Sequence, residues 1–207
     1  MANNKKSATV QERSLRTREV IEKAALKAFA ELGYEGASTR QIADLAGVKQ
    51  QLITYHFGSK LKLWKVVADK LFTDYRAHME ERQKGLDGVD ALTTAQILIR
   101  DFLEYCAGQP QLARFMMHEG GVLTPRLSWL VETHTGGLIR SLQAQVDEAR
   151  RLAGAPEVDV VQLSYILIGA SAMFSQEAEY KLLTGEPVNS ARTIESYSAL
   201  VSSLILG

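Results

Sequence analysis

Apolar residues recur along this chain at three- and four-residue spacing from near its start to its end, and no stretch alternates polar and apolar for long. That period lines each segment's apolar side chains along one helical stripe and predicts an all-α protein. In the first segment Ile21, Ala25, Phe29 and Leu32 form the stripe while Arg18, Glu22 and Lys23 point elsewhere; Gly33 supplies a stop, so a helix is expected from about Thr17 to Leu32. After a short turn over 34–37, Ser38 stands three residues before Gln41, the spacing of a capping box, which starts a helix at Thr39. Ile42, Ala43 and Leu45 give that helix its apolar face, Gly47 breaks it within two to three turns, and Val48 follows as a buried turn residue.

A third helix is expected over 50–56, anchored by Ile53 and closed by Phe57-Gly58-Ser59, with Ser59 capping a fourth from Lys60 to about Lys84 on the stripe Leu63, Val66, Val67, Leu71 and Tyr75. Further helices are expected over 90–107, 110–119, 125–153, 158–184 and 190–206, separated by Gly108-Gln109-Pro110, Gly120-Gly121, Gly154-Ala155-Pro156 and Gly185-Glu186-Pro187. That makes about nine helices in total. The two short ones over 39–46 and 50–56, joined by a tight glycine turn, suit a helix-turn-helix, whose second helix lies in the DNA major groove while the first crosses the backbone.

Charge adds to that picture. The net charge of the 207 residues is zero, yet residues 1–65 carry 12 basic and 6 acidic side chains and residues 66–207 carry 12 and 18, giving +6 and −6. A polyanion would be drawn to the first part and repelled by the second. Hydrophobic and charged fractions of 46% and 23% are those of a folded globular chain. The single Cys106 excludes an internal disulfide and a Cys-based zinc site and fits a reducing cytoplasm. No secretory signal opens the chain, and the apolar run over 158–174 is interrupted by Asp159, Gln162, Ser164 and Ser171, so a cytoplasmic protein without a membrane span is expected.

The stretch TREVIEKAALKAFAELGYEGASTRQIADLAGVKQQLITYHFGSKLKLW, about 48 residues, resembles the DNA-binding domain of the TetR/AcrR family of repressors. The residues that carry the likeness are Ala24-Ala25, Phe29 and Gly33-Tyr34, then Ile42-Ala43 and Ala46-Gly47-Val48, then Tyr55-His56-Phe57-Gly58-Ser59-Lys60. The resemblance implies a basic arm over 1–16, a three-helix helix-turn-helix domain over 17–65, and a larger helical effector-binding and dimerisation domain over 66–207. It implies double-stranded operator DNA as partner, a homodimer through the last two helices, a small-molecule effector, and no cofactor. The fourth helix would then link DNA and effector. The alternative is a helix-turn-helix regulator controlled by a protein partner or lacking a small ligand.

Gln50, Gln51 and Thr54 share roughly one face of the recognition helix, and glutamine can bond the adenine edge, so these are the candidate base readers. Lys49 stands where similar sequences have a Ser or Thr cap; it cannot accept from a backbone N–H, and its charge is free for a phosphate or a guanine edge. Ser38 caps its helix, and in similar proteins that hydroxyl also meets a phosphate. Tyr55 and His56 match the family's phosphate-contacting aromatic pair, and Lys60 is a cation at a helix N-terminus, where an anionic partner rationalises it. Lys5, Lys6, Arg13, Arg16 and Arg18 resemble an arm that enters the minor groove, or else a solubilising tail.

In the larger domain Leu163, Ile166, Leu167, Ala170 and Phe174, then Ile194, Tyr197, Leu200, Val201 and Leu204, form the apolar faces expected to pair across a dimer. A pocket is expected to draw on Phe102, Tyr105, Cys106, Phe115, Met116 and His118, and on Trp129, His134, Met173, Phe174 and Glu177 from later helices. That mixture suits an apolar or aromatic effector. No Glu-x-x-His motif of a di-metal bundle occurs, no metal site is indicated, and no nucleophile has a placed base, so an enzyme is not expected.

Overall fold

The computed structural model describes residues 2–206, with side chains from residue 11 onward. Every regular element among the described residues is a helix. The chain forms two compact units, Met1–Leu71 and Phe72–Gly207.

The first unit holds α1 (Ala2–Gly36), α2 (Thr39–Ala46), α3 (Gln51–Phe57) and the opening turns of α4 (Lys60–Lys84). The helix α1 begins at Ala2 rather than near Thr17, so the expected arm over 1–16 continues the helix through its described part. No glycine or proline interrupts this stretch, the Thr17 hydroxyl donates to the Arg13 carbonyl at 2.8 Å, and Arg16 pairs with Glu12 one turn back at 2.8 Å. The side chains of Lys5 and Lys6 lie outside the described residues. Helical geometry breaks at Gly33, where φ is +69°, a left-handed value that glycine adopts without steric cost.

The core of this unit is built from Ile21, Ala25, Ala28 and Phe29 of α1, Ile42 and Ala43 of α2, Ile53 and Phe57 of α3, and Leu63 and Trp64 of α4. Two residues expected inside are exposed. Leu45 is 52% exposed: the inward face of α2 is centred between Ile42 and Ala43, and at about 100° per residue Leu45 stands about 110° away from it. Leu32 is 46% exposed, because in the last turn before the kink burial passes to Ala30 and Gly33. Val48 is half-buried rather than buried.

The second unit contains the remainder of α4, then α5 (Ala91–Gly108), α6 (Gln111–Glu119), α7 (Pro125–Leu130), α8 (Gly136–Ser141), α9 (Gln143–Leu152), α10 (Val160–Ser171), α11 (Glu177–Thr184) and α12 (Ala191–Leu206). A π turn over Val131–Thr135 joins α7 to α8, and a 3-10 turn over Ala172–Ser175 leads from α10 toward α11. Read as one run, 125–152 is a long helix as expected, whereas Gln176, at φ −106° and ψ +39°, breaks the one expected over 158–184 into two, so the described helical runs number ten. Asp90, Thr124 and Asp159 cap α5, α7 and α10 by accepting backbone N–H groups. The helix α5 is central, packing against α6, α9, α10 and α12. Arg82 clamps the end of α4 to α5 through the buried carboxylate of Asp101, with Nε at 2.5 Å and Nη2 at 3.2 Å. No helix among the described residues is long and apolar enough to cross a membrane.

Candidate functional site

The turn between α2 and α3 is set by local chemistry at both ends of α2. Ser38 Oγ accepts the Gln41 N–H at 3.1 Å while the Gln41 side chain accepts the Ser38 N–H at 2.9 Å, the reciprocal box expected from the sequence. Gly47 is left-handed at φ +67°, and its N–H and that of Val48 close the helix onto Asp44 and Ala43. The short α3 is amphipathic by the same geometry. Ile53 and Phe57, four residues apart, are buried, while Gln51, Thr54 and Tyr55 lie exposed on the opposite face, Tyr55 at 79%. Polar side chains thus project from the exposed face of α3 while its hydrophobic side anchors it.

The start of α3 differs from expectation by one residue. Gln50 occupies the cap position but makes no side-chain capping bond; its Nε2 instead donates to the Thr39 hydroxyl at 2.9 Å, and the exposed Lys49 precedes it. A lysine cannot serve as acceptor, so the helix opens on backbone bonds alone, Leu52 N–H to the Lys49 carbonyl at 2.9 Å and Ile53 N–H to Gln50 at 3.0 Å.

The candidate phosphate contacts are held in different ways. Ser38 is exposed, and its hydroxyl donates to Gln41 Oε1 at 2.8 Å. Tyr55 meets His56 edge-on at 4.9 Å. The Lys60 ammonium lies 4.3 Å over the Tyr34 ring, a cation–π contact that holds a charge otherwise disfavoured at a helix N-terminus. Ser59 accepts the Lys62 N–H at 3.2 Å, as its capping position predicts. His56 is half-buried, and burial followed by the nearby Arg18 charge holds its imidazole below the ordinary range.

Arg18 is not part of an arm. It sits within α1, donates to the His56 carbonyl at 3.3 Å, stacks over Phe57 at 4.7 Å and approaches Glu22 at 3.7 Å, so it binds the end of α3 to α1. Sequence reasoning missed this role because 38 residues separate donor and acceptor.

Within the second unit lies a cavity of about 470 Å³ whose wall is largely aliphatic, drawn from α4, α5, α6, α8, α9, α10 and α12. Of the expected pocket residues, Phe102, Cys106 and Met116 line it. The others do not. Tyr105 packs against Tyr75 and His78, Phe115 edge-on to Phe72, Trp129 against His134, and Phe174 against Tyr197. His134 stacks on Phe72 at 5.3 Å, Met173 is half-buried, and His118 and Glu177 are exposed. Leu138, Ile139, Leu142 and Tyr75 line the cavity unannounced; cavity wall and packed core use the same residue types, so no local pattern separates them. Burial pushes the Cys106 thiol up to about 12 and lifts the Tyr75 phenol above its ordinary range, so both carry their protons. Among the described residues, no group of three or more His, Cys, Asp or Glu could hold a metal ion.

The family model of bacterial regulatory proteins, tetR family, matches residues 21–67. The HTH-type transcriptional repressor NicS of Pseudomonas putida is 28% identical over 172 residues, 81% of this chain and 79% of that protein. The HTH-type transcriptional activator FasR of Mycolicibacterium smegmatis is 26% identical over 176 residues, 83% of this chain and 75% of that protein. Among solved structures, the transcriptional regulator FadR of Bacillus subtilis in complex with stearoyl-CoA aligns with a TM-score of 0.63 at 19% identity, covering 91% of this chain and 97% of that one. AibR in complex with isovaleryl coenzyme A and operator DNA aligns with a TM-score of 0.70 at 16% identity, covering 92% and 98%. The structural likeness is one of fold, a helix-turn-helix unit followed by a larger helical one.

Proposed function

Because the chain belongs to the TetR family of transcriptional regulators, we propose that it acts as a homodimeric repressor released from its operator by a small apolar or aromatic effector. The family makes it a DNA-binding regulator; repression, the dimer and the effector are the proposed parts. The observation that carries the DNA reading is the exposed polar face of α3, with Gln51, Thr54 and Tyr55 presented outward by a helix whose other side is buried. In this reading Gln50, Gln51 and Thr54 read base edges with Lys49 beside them, and Ser38, Tyr55, His56 and Lys60 meet phosphates. Two copies presenting α3 to successive major grooves call for a near-palindromic site.

The dimer reading is supported by apolar side chains left in solvent near the C-terminus: Ile166 is 52% exposed, Tyr165 70%, Leu200 53% and Leu204 72%. Pairing α10 and α12 with their copies would cover them. The cavity favours a small-molecule effector over control by a protein partner alone, since a well-packed interior would suit the latter. FadR and AibR were solved with acyl-CoA ligands, and the aliphatic wall here admits an acyl chain, which puts acyl thioesters among the effectors to screen. A relative named as an activator makes the direction of control part of the same test.

The test is selection of duplexes from a random DNA pool by the full-length protein, followed by transcription from a promoter carrying the selected site. Enrichment of a near-palindrome and lower transcript when the protein is present support the proposal. An unchanged pool after selection would sink it. Linkage then requires effector and operator to weaken each other by the same factor.

A further inference from the structure

One half-buried hydroxyl borders the cavity of the second unit without a protein partner. Tyr75, on α4, lines the cavity, and its hydroxyl has no hydrogen-bond partner among the described residues. Its ring is held edge-on against Phe102 at 6.0 Å and against Tyr105 at 5.4 Å, so the phenol is fixed in place. Tyr75 is half-buried and borders accessible cavity space, so its hydroxyl stands open to a ligand or water that would complete its hydrogen bonding.

Neighbouring groups do not fill the role. Ser171 Oγ is engaged with the Ile168 carbonyl at 2.7 Å, and Cys106, which lies beside Ser171, is a protonated thiol and a weak acceptor. Burial keeps the Tyr75 phenol protonated as well, so it carries no negative charge and its hydrogen is available to an accepting atom.

The rest of the wall narrows what that atom belongs to. None of the side chains lining the cavity is Lys, Arg or His, and the one carboxylate, Asp87, sits on the exposed turn after α4. A carboxylate head brought inside would be stripped of water with no cation to receive it. A neutral carbonyl loses far less on entry, and the phenol makes good that loss. At about 30 Å³ for each water-sized group, a volume of 470 Å³ holds on the order of 15 non-hydrogen atoms.

We propose that this cavity binds an uncharged, mainly aliphatic molecule carrying one carbonyl oxygen, a ketone, ester or amide, which accepts the Tyr75 hydroxyl. The proposal rests on the reading of the cavity as the effector site.

The test compares three probes of matched length, methyl undecyl ketone, n-tridecane and dodecanoate, by the rise in Tm of the full-length protein over a concentration series, in the wild type and in Tyr75→Phe. The ketone is expected to bind the wild type roughly three- to tenfold tighter than tridecane, as one hydrogen bond allows, with dodecanoate weakest. Tyr75→Phe should remove that advantage and leave tridecane unchanged. If tridecane or dodecanoate binds as tightly as the ketone, or the preference survives in Tyr75→Phe, the proposal is overturned while the cavity remains a ligand site. If none of the three binds, the cavity reading itself fails and the proposal with it. Should the variant not fold, the wild-type ratio of ketone to tridecane decides.

Discussion

The side-chain amide of Gln50 donates to the Thr39 hydroxyl at 2.9 Å, so the residue that opens α3 is tied to the residue that opens α2. That bond holds Gln50 at the junction of the two helices and leaves Gln51 and Thr54 with unengaged side chains on the outward face. Gln51→Ala and Thr54→Ala are each expected to cost about 1–3 kcal/mol in preference for a selected operator over random DNA, and Gln50→Ala less. Fluorescence anisotropy on the two duplexes checks this. Equal losses at all three positions would mean that the Thr39 bond opens when DNA binds.

His56 is expected to make DNA binding sensitive to pH. With its imidazole held below the ordinary range by burial and Arg18, the folded protein takes up a proton at this site less readily than the unfolded chain. The stability this contributes is present above about pH 6.5 and is lost as the pH falls through the lowered value. A phosphate beside the ring reverses the bias by favouring the imidazolium. Operator affinity at constant ionic strength should therefore rise as the pH is lowered from about 8 to about 6, and His56→Gln should flatten the rise. Identical profiles for the two proteins would remove His56 from the phosphate contacts.

Lys60 is expected to act through charge on any sequence. Lys60→Gln should reduce the magnitude of the log affinity versus log salt slope by about 0.9 and weaken operator and random DNA alike. Loss of the contact with Tyr34 should lower stability by about 0.5–1 kcal/mol, read from thermal unfolding. A fall in Tm with an unchanged salt slope would leave Lys60 a purely structural role.

The π turn places two adjacent glycines in unlike surroundings. A Cβ at Gly136 would lie 2.8 Å from the Val131 carbonyl oxygen, whereas one at Gly137 would meet nothing within 4 Å. Gly136→Ala is expected to destabilise by about 1–3 kcal/mol, and Gly137→Ala to be neutral or stabilising by up to about 1 kcal/mol. Urea unfolding of both variants measures the contrast, and equal effects would show that the turn relaxes to accept a methyl group.

The exposed pair Leu200 and Leu204 on α12 tests the dimer. Leu200→Glu with Leu204→Glu should shift the protein to a monomer in sedimentation and weaken binding to a two-half-site operator, with helix content retained. A variant that sediments as the wild type does would rule these residues out of the contact.

Much of the helix map was legible because the signals are local. The start of α2 at Thr39 follows from Ser38 and Gln41, its end from Gly47, and the boundaries of α4 from Ser59 and the stripe through Leu63 and Val67. Where local signals were weak the reading slipped. Nothing near Thr17 marks a helix start, and α1 runs on toward Ala2; Lys49 offers no cap, and α3 begins one residue later than expected. The helix-turn-helix was legible for the same reason, as a pattern of caps, a glycine and alternating faces within two dozen residues.

What the chain alone determined, then, is where most of its helices run and that two short ones adjoin across a glycine turn, since capping, glycine geometry and the 3.6-residue period act over a few positions. Only the tertiary structure decided that Arg18 closes on the His56 carbonyl, that Gln50 is tied to Thr39, that Leu45 faces solvent, and that Tyr75 borders a cavity instead of filling a core. A leucine or a tyrosine on a helical stripe is the same in sequence whether packed, exposed or facing empty space. The difference lies in which distant side chains arrive beside it, and that is set by long-range packing rather than by any local preference.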